Sequence, residues 1–309
     1  TALTFENVTL SGYKTLLTLD GGSLTLNGKN ALVGACDVKD NANPTLSLSG
    51  RETIGGTGRL HVSAVAGNSA VKLEPGATLD LQSGTLSVRK EGLLGTEGGA
   101  LYASQATVIV SGGVLLSCSD SDNVSAISAG NLKVSGGQVR AQAFKSPAAI
   151  QGGAVSLAGG TIYCMGHTGN SQNFSKAYYN AEAITGLSGT VGAAFEKALP
   201  FSDVHVTDEY FEAVRGAYSA GYLTGTSADK YSPDVSMTRA MFVTALYRMA
   251  GSPRVSAPAA FTDLRQSWYK NAVAWAVKTG ITEGSSATSF SPDANVTLQE
   301  AAVFLGRYA

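Results

Sequence analysis

Charged residues are scarce in this chain, and neither sign of charge predominates. Asp, Glu, Lys and Arg make up 15% of its 309 residues, and the formal net charge is −1. A nucleic-acid-binding protein needs a basic face, and the absence of any basic block argues against that class. No apolar run approaches the roughly 20 residues that cross a bilayer as a helix. With 37 glycines, the composition is instead typical of a globular protein of short strands and turns.

Cysteine is also rare. The three cysteines, Cys36, Cys118 and Cys164, are an odd number without CxxC spacing, so they indicate neither a disulfide framework nor a zinc site. We interpret them as small buried residues on strands. The chain begins at Thr1, without Met and without a basic-then-apolar leader, which we interpret as a mature or excised piece of a longer product.

Tryptophan is absent from the first 195 residues, and this absence divides the chain in two. Both tryptophans lie in the C-terminal part, where apolar residues recur at helical spacing, whereas strand-like alternation fills the N-terminal part. A polar, glycine-rich stretch over residues 166–190 has the composition of a loop. We therefore predict one domain at residues 1–190, a first repeat at 191–255 and a second repeat at 256–309.

The N-terminal part contains a repeat of about 23 residues. Ile127–Ala141 aligns with Ile150–Cys164 at a constant offset of 23, and looser copies precede them. In each copy, two short alternating segments flank a small-residue corner, such as Gly136-Gly137, where glycine permits positive φ. This period is typical of a right-handed parallel β-helix, whose stacked coils bury a continuous core. An antiparallel sandwich with hairpin turns at the glycine pairs is the alternative.

The C-terminal part contains a longer repeat of about 60 residues. Each copy has the pattern of a helix, a loop and a second helix, and we expect glycines to end the first helix and threonines to begin the second. In the second copy Glu300 follows Thr297 by three residues, which is a capping-box pattern. The repeated landmarks are Phe201 and Phe261, Asp203 and Asp263, Gly221 and Gly280, Pro233 and Pro292, and Thr238 and Thr297.

The order of these landmarks, and most specifically the segment YSPDVSMTRAMF, resembles the S-layer homology (SLH) family over residues 200–309. The resemblance implies a bundle of short helices, commonly built from three repeats, that attaches noncovalently to a secondary cell-wall polysaccharide, often an acidic one. It also implies an extracellular location at the wall of a Gram-positive-type bacterium. The N-terminal part resembles the parallel β-helix repeats of bacterial surface proteins, of the pectate-lyase-like or adhesin type.

The resemblance implies that Arg239 recognises the wall polymer. In the family an Arg follows the helix-capping Thr, and here it follows Thr238, whereas the second repeat has Leu298 at the equivalent position. A guanidinium beside the N–H groups of a helix N-terminus is a good receptor for a carboxylate. On this basis we expect Arg239→Ala to weaken wall binding and to leave the melting temperature nearly unchanged.

Further residues of the candidate polysaccharide site are Thr238, Thr297, Asp203, Asp263 and Trp268. Each has a structural alternative. The two aspartates could brace turns, Trp268 could pack in the core rather than stack on a sugar, and Arg239 could be a solvated helix residue. Trp275 falls on the apolar face of its helix, and we expect it in the core.

Three hypotheses remain for the N-terminal part. They are a noncatalytic adhesin or spacer, a polysaccharide lyase or glycoside hydrolase, and a module that binds host or environmental glycans. The best acidic cluster contains Asp120 and Asp122, and a second contains Asp37 and Asp40. Side chains two apart on a strand face the same way, so Asp120 and Asp122 could share a structural calcium ion. The alternative is that these acids lie in ordinary turns.

The histidines do not add a catalytic set to this part. His61, His167 and His205 are scattered along the sequence, and no Ser/His/Asp arrangement can be assembled around them. We therefore predict no catalytic residues and no cofactor other than the calcium just described. Noncatalytic display is the hypothesis we favour.

Overall fold

The computed structural model describes residues 1–35, 43–65, 69–92, 98–168, 176–188, 194–196, 199–256 and 259–309. By its internal contacts the chain forms two compact units. The first consists of Thr1–Ala198 together with His205–Phe211, and the second of Leu199–Val204 together with Glu212–Ala309. The expected domain boundaries after residues 190 and 255 stay predictions.

The first unit is a β-solenoid of about six turns with two sheets. The first sheet contains β1 (Ala2–Glu6), β3 (Leu17–Asn27), β5 (Leu46–Gly56), β7 (Val71–Leu73), β8 (Thr78–Leu81), β10 (Leu101–Val110), β12 (Ile127–Val134), β14 (Ile150–Leu157) and β17 (Ile184–Leu187). The second contains β2 (Thr9–Gly12), β4 (Lys29–Gly34), β6 (Arg59–Val65), β9 (Thr85–Glu91), β11 (Val114–Ser119), β13 (Gln138–Ala143), β15 (Thr161–Thr168), β16 (Lys176–Tyr179) and β18 (Ala194–Phe195).

Strands of the same sheet come from successive coils, as a parallel β-helix requires. The second sheet, for example, runs β15, β13, β11, β9, β6, β4 and β2 in order of pairing, and each of these neighbours is parallel. The strand β16 adds to β15 in the antiparallel sense. The predicted parallel solenoid is confirmed, and the alternative of an antiparallel sandwich is wrong.

Residues that match at the 23-residue offset lie directly beside one another. Ile127 pairs with Ile150 in the first sheet, and Val139 pairs with Ile162 in the second. All four side chains are fully buried. Because each coil places the same position over the same position of the coil before it, the apolar side chains form one continuous core.

The glycine corners bring the backbones of successive coils into direct contact. Gly113, Gly137 and Gly160 occupy equivalent corners and have φ values of 65°, 64° and 76°. A Cβ added to Gly137 would lie 2.4 Å from the carbonyl oxygen of Gly113, and one added to Gly160 would lie 2.4 Å from that of Gly137. Glycine is therefore required here both for its positive φ and for its lack of a side chain.

The two described cysteines are buried. Cys118 lies on β11 and Cys164 on β15. Burial raises the pKa of the Cys164 thiol. Cys36 lies outside the described residues, together with the predicted acidic pair Asp37 and Asp40.

The second unit is helical. Its helices are α1 (Phe211–Ser219), whose first residue packs with the first unit, α2 (Arg239–Met249), α3 (Ser267–Lys278) and α4 (Leu298–Tyr308). Gly221 and Gly280 have φ values of 74° and 76° just beyond α1 and α3, as expected of helix C-caps. A core of Val243, Val273 and Trp275 joins α2 to α3. In the described part of the chain, every helix is too short or too polar to cross a membrane.

Gly137→Ala should destabilise the first unit more than Gly76→Ala does. Both glycines have positive φ, so either alanine costs about 1–2 kcal/mol of backbone strain. Only at Gly137 does the new Cβ meet backbone, whereas no atom lies within 4 Å of it at Gly76. We expect the free energy of unfolding, measured by urea denaturation, to fall by at least about 1 kcal/mol more for Gly137→Ala. Equal losses would contradict the close stacking of coils.

Candidate functional site

Thr238 and Thr297 each begin a helix by capping it. The Oγ1 atom of Thr238 accepts a hydrogen bond from the N–H of Met241 at 3.2 Å, and Thr297 accepts one from Glu300 at the same distance. In return, the Glu300 carboxylate accepts the N–H of Thr297 at 2.9 Å. The predicted N-caps and the predicted capping box are therefore present, and they occupy both threonine side chains.

Arg239 is buried rather than presented to solvent. Its side chain is 6% exposed, and its guanidinium lies over the rings of Phe290 and Phe304, 4.9 and 5.3 Å from their centroids. Its Nε donates to the carbonyl oxygen of Phe290 at 3.0 Å, and its Nη1 donates to Glu300 at 2.5 Å. Arg239 therefore links the first repeat to the second.

The helix N-terminus beside Arg239 is also occupied. The N–H groups of Arg239 and Ala240 donate to the carbonyl oxygens of Ala294 and Pro292 at 2.9 and 3.0 Å. The N–H of the next residue is taken by the Thr238 cap. The expectation that this helix start offers free donors to a carboxylate is thus wrong, because a loop of the second repeat has already satisfied them.

The two repeats depart from the family pattern in complementary ways. The first repeat keeps the Arg and has Met241 where the family has an acid, and the second keeps Glu300 and has Leu298 where the family has Arg. The structure pairs the retained Arg of one repeat with the retained acid of the other. Leu298, at the position equivalent to Arg239, is 89% exposed.

The two aspartates at equivalent positions of the repeats brace turns. Asp203 accepts the N–H groups of Tyr231 and Ser232 at 2.9 and 2.8 Å. Asp263 makes the equivalent bonds to the N–H groups of Phe290 and Ser291 and also accepts the Ser289 hydroxyl at 2.6 Å. Burial acts to raise the pKa of Asp263, but these hydrogen bonds outweigh it and hold that pKa below its usual range.

These bonds stabilise an uncommon backbone conformation. Ser232 and Ser291, which precede the repeated Pro-Asp pair, have φ values of 62° and 58°. A left-handed residue other than glycine costs roughly 1–2 kcal/mol. The carboxylate that accepts the N–H of each serine offsets that cost, so Asp203 and Asp263 have a structural role in the observed fold.

Trp268 is the candidate site residue that remains available to a ligand. Its side chain is half exposed at the start of α3, with its Nε1 donating to Gln266 at 3.1 Å and its ring packed edge-on against Tyr269. The alternative that it packs in the core is wrong, whereas Trp275 is buried in the core as expected.

An open cleft of about 450 Å³ lies on the same repeat as Trp268. Its lining residues are Val255, Ser256, Ala259, Phe261, Leu264, Lys270 and Asn271. Lys270 and Asn271 are exposed polar side chains on the first turns of α3, beside apolar walls that a sugar ring could contact. Sequence reasoning missed both, because they are not among the landmarks that recur in the two repeats.

In the solenoid, the structure does not bring Asp120 and Asp122 to a common cation. Both lie beyond the end of β11, so the two-residue strand spacing does not apply to them. Asp120 lies 3.6 Å from Arg89 and 3.6 Å from His205. Asp122 instead pairs with Lys145 at 3.0 Å.

A second cleft, of about 420 Å³, lies on the outer face of the second sheet. Basic side chains line it, and residues 207–209 of the same unit reach into it. Lys29 pairs with Glu209 at 2.9 Å, Arg89 with Asp208 at 3.3 Å, and Arg59 donates to the carbonyl oxygen of Thr207 at 2.6 Å. The segment His205–Phe211 is thus held on the solenoid by charge-assisted bonds.

Two histidines near this cleft have opposite pKa shifts. Burial, and then the charges of Arg59 and Arg89, lower the pKa of His61 to about 4. Burial also acts to lower the pKa of His205, but hydrogen bonds to Asp120 and Asp208 outweigh it and raise the value to about 9. His61 is therefore neutral near pH 7, whereas His205 is charged.

The comparison with known families concerns the helical repeats. Residues 200–241 and 260–302 match the S-layer homology domain family. The resemblance inferred from the sequence is confirmed. The match indicates a cell-surface, cell-wall-associated protein, because SLH domains bind cell-wall polysaccharide.

Three curated relatives share part of the sequence. An endoglucanase of Bacillus sp. (strain KSM-635) is 33% identical over 120 residues, which span 39% of this chain and 13% of the relative. The surface-layer 125 kDa protein of Lysinibacillus sphaericus is 29% identical over 43% of this chain and 12% of its own length. A cell surface protein of Thermoanaerobacter kivui is 28% identical over 44% and 19%. No solved structure matches the chain significantly.

The aligned part is therefore less than a fifth of the length of each relative. These proteins are much longer than this chain, and their names describe whole molecules.

Arg239→Ala should destabilise the second unit, contrary to the expectation from sequence. The change leaves Glu300 and the Phe290 carbonyl without their donor, and breaking a buried pair costs about 3–5 kcal/mol. Because the Glu300 side chain is 37% exposed, we expect a smaller loss of about 1–3 kcal/mol in the free energy of unfolding, measured by urea denaturation.

Leu298→Ala is the matched control, because it changes the equivalent position of the other repeat. With that side chain 89% exposed, its effect should stay within about 0.5 kcal/mol. A wild-type unfolding curve for Arg239→Ala would show that the pairing with Glu300 contributes nothing to stability.

Acidification should destabilise the first unit through His61. The unfolded chain, with a His pKa near 6.5, binds a proton that folded His61 does not bind until its pKa of about 4. The free energy of unfolding should therefore fall as the pH drops from about 6.5 toward 4. His61→Gln should flatten this dependence in urea denaturation at a series of pH values. The pKa of His167 is also lowered to about 4, so part of the dependence should remain; an unchanged slope would exclude His61 as a source.

Proposed function

We propose that the two SLH repeats hold this protein on an acidic cell-wall polysaccharide and that the β-solenoid is a noncatalytic module displayed at the cell surface. The observation that carries the proposal is that both repeats match the SLH family, that a threonine caps the second helix of each, and that Arg239 of the first is bonded to Glu300 of the second. The names of two relatives, a surface-layer protein and a cell surface protein, agree with this role.

The polymer contacts that we propose are centred on α3 rather than on Arg239. Trp268 offers an exposed aromatic ring at the start of α3, and Lys270 offers an exposed ammonium at the cleft on the same repeat. The two groups suit different parts of an extended acidic polymer, because the ring can stack on the apolar face of one sugar while the ammonium meets a carboxylate elsewhere on the chain. Arg239 supports this surface indirectly, by fixing the second repeat against the first.

The noncatalytic part of the proposal rests on the acids of the solenoid. A lyase or hydrolase needs carboxylates that are free to meet substrate or calcium. The two of the better cluster already face cationic side chains, Asp120 beside Arg89 and Asp122 beside Lys145.

Trp268→Ala should weaken the binding of the protein to purified cell-wall sacculi at least roughly tenfold, equivalent to about 1.4 kcal/mol. Lys270→Ala should weaken it several-fold and should reduce its sensitivity to added salt, because one screened charge contact is lost. Lys278→Ala is the matched control: it removes an equal charge from the other end of α3, away from the cleft, and should bind as wild type.

These variants are compared in one co-sedimentation assay, with circular dichroism to show that each is folded. Equal binding by all three variants would contradict the assignment of this surface. Failure of the wild type to bind sacculi would contradict wall attachment by this chain. Release of soluble sugar from the sacculi, or from acidic and neutral polysaccharides with calcium, would contradict the noncatalytic assignment of the solenoid.

A further inference from the structure

Three side chains of the kinds that bind metals lie close together at the C-terminal end of β11, in the second sheet. Cys118 lies on β11, Asp120 follows the end of that strand, and His205 comes from the segment that packs on the solenoid. The Cys118 Sγ lies 3.9 Å from the Asp120 Oδ1, and the same oxygen lies 3.6 Å from the His205 Nε2. The three donor atoms all lie within 4.8 Å of one another.

These spacings suit a tetrahedral metal ion. With Zn–N and Zn–O bonds of about 2.0–2.1 Å and a Zn–S bond of about 2.3 Å, tetrahedral angles place the donors roughly 3.4–3.6 Å apart. The two distances on either side of the Asp120 oxygen are within a few tenths of an ångström of that range. The third separation, between the Cys118 Sγ and the His205 Nε2, lies within 4.8 Å, so side-chain rotation has to bring the donors closer together for all three to bind one ion.

The imidazole of His205 is already oriented as a metal ligand. Its Nδ1 lies 3.3 Å from the Asp208 carboxylate, which also accepts the backbone N–H of His205 at 2.7 Å. A ligating histidine usually donates the N–H of its second ring nitrogen to a carboxylate in this way, and the other nitrogen, here Nε2, then binds the metal. The ring of Phe144 packs edge-on against the imidazole, 4.9 Å between centroids, and further limits its rotation.

We propose that Cys118, Asp120 and His205 form a binding site for Zn²⁺ or a similar borderline-soft divalent metal. A thiolate, an imidazole and a carboxylate are the donor types that zinc takes, whereas calcium and magnesium prefer oxygen donors alone. Water supplies the fourth ligand. Binding replaces the thiol proton of Cys118 and any proton on the His205 Nε2, and these protons pass to solvent.

The guanidinium of Arg89 competes with the metal for Asp120 and the His205 Nε2. Its Nη2 lies 3.6 Å from the other oxygen of Asp120 and 3.4 Å from the His205 Nε2. The rest of the guanidinium is held elsewhere, with Nε 2.8 Å from Glu91 and Nη1 3.3 Å from Asp208. Metal binding therefore has to displace one arm of Arg89, while the pairs with Glu91 and Asp208 can persist.

The site would fasten the segment His205–Phe211 to the solenoid. Cys118 and Asp120 belong to one coil of the β-helix, and His205 is 85 residues beyond Asp120 in sequence. A metal ion that bonds to both segments stabilises the folded arrangement, because the unfolded chain does not hold the donors together.

Cobalt substitution tests this site in the full chain. Co²⁺ bound to a thiolate in tetrahedral geometry gives a sulfur-to-metal charge-transfer band in the near ultraviolet and strong visible bands, which Zn²⁺ then abolishes by displacement. We expect one equivalent of Co²⁺ to develop this spectrum in the wild type. Cys118→Ala should abolish the charge-transfer band, and His205→Gln should weaken cobalt binding at least roughly tenfold.

Cys164→Ala and Cys36→Ala are the matched controls and should keep the wild-type spectrum. Cys164 is an equally buried cysteine on a strand of the same sheet. As a second readout, Zn²⁺ should slow amide hydrogen exchange over residues 205–211 in the wild type and should not slow it in His205→Gln. This measurement tests the metal site even if Cys118→Ala does not fold. Absence of the charge-transfer band in the wild type, or its loss in either control, would overturn the proposal.

Discussion

The spacing of adjacent strands, about 4.8 Å, governs the first unit. At the corners that stack on one another, this distance brings the backbone of one coil against the backbone of the next and leaves no room for a Cβ. The corner glycines Gly113, Gly137 and Gly160 meet that requirement. Each coil therefore copies the path of its neighbour, and inward side chains need only be apolar and of suitable size.

The same stacking aligns the outward-facing positions of successive coils, so that polar side chains on adjacent strands lie beside one another. His61 on β6 lies beside Ser87 on β9, and the two are hydrogen-bonded at 3.0 Å. Arg59 and Arg89 lie on the same face, near the acidic residues Asp208 and Glu209.

The family match begins at residue 200, yet by its contacts His205–Phe211 belongs with the solenoid. Charge pairing on this face explains why the limits of the family and of the compact unit differ.

Features set by local pattern could be predicted from the sequence. The offset of 23 between Ile127 and Ile150 gave the parallel register, and the spacing of Thr297 and Glu300 gave the capping box. The environment of Arg239 could not be predicted, because it depends on Phe290 and Glu300, which are 51 and 61 residues away. Cys118 and His205 illustrate the same limit: without CxxC spacing, only the folded chain shows that they are neighbours.

The pairing of Arg239 with Glu300 also bears on how the repeats can be ordered along the chain. Two copies of the first repeat would place an arginine in the buried position with Met241 facing it, and two copies of the second would place Leu298 beside an unmatched acid. Each repeat therefore carries one half of this charged pair, and its neighbour carries the other half. The two repeats are therefore not interchangeable, because the ion pair forms only between one copy of each. This pairing distinguishes the first repeat from the second, whereas a tandem array of identical modules has no such distinction.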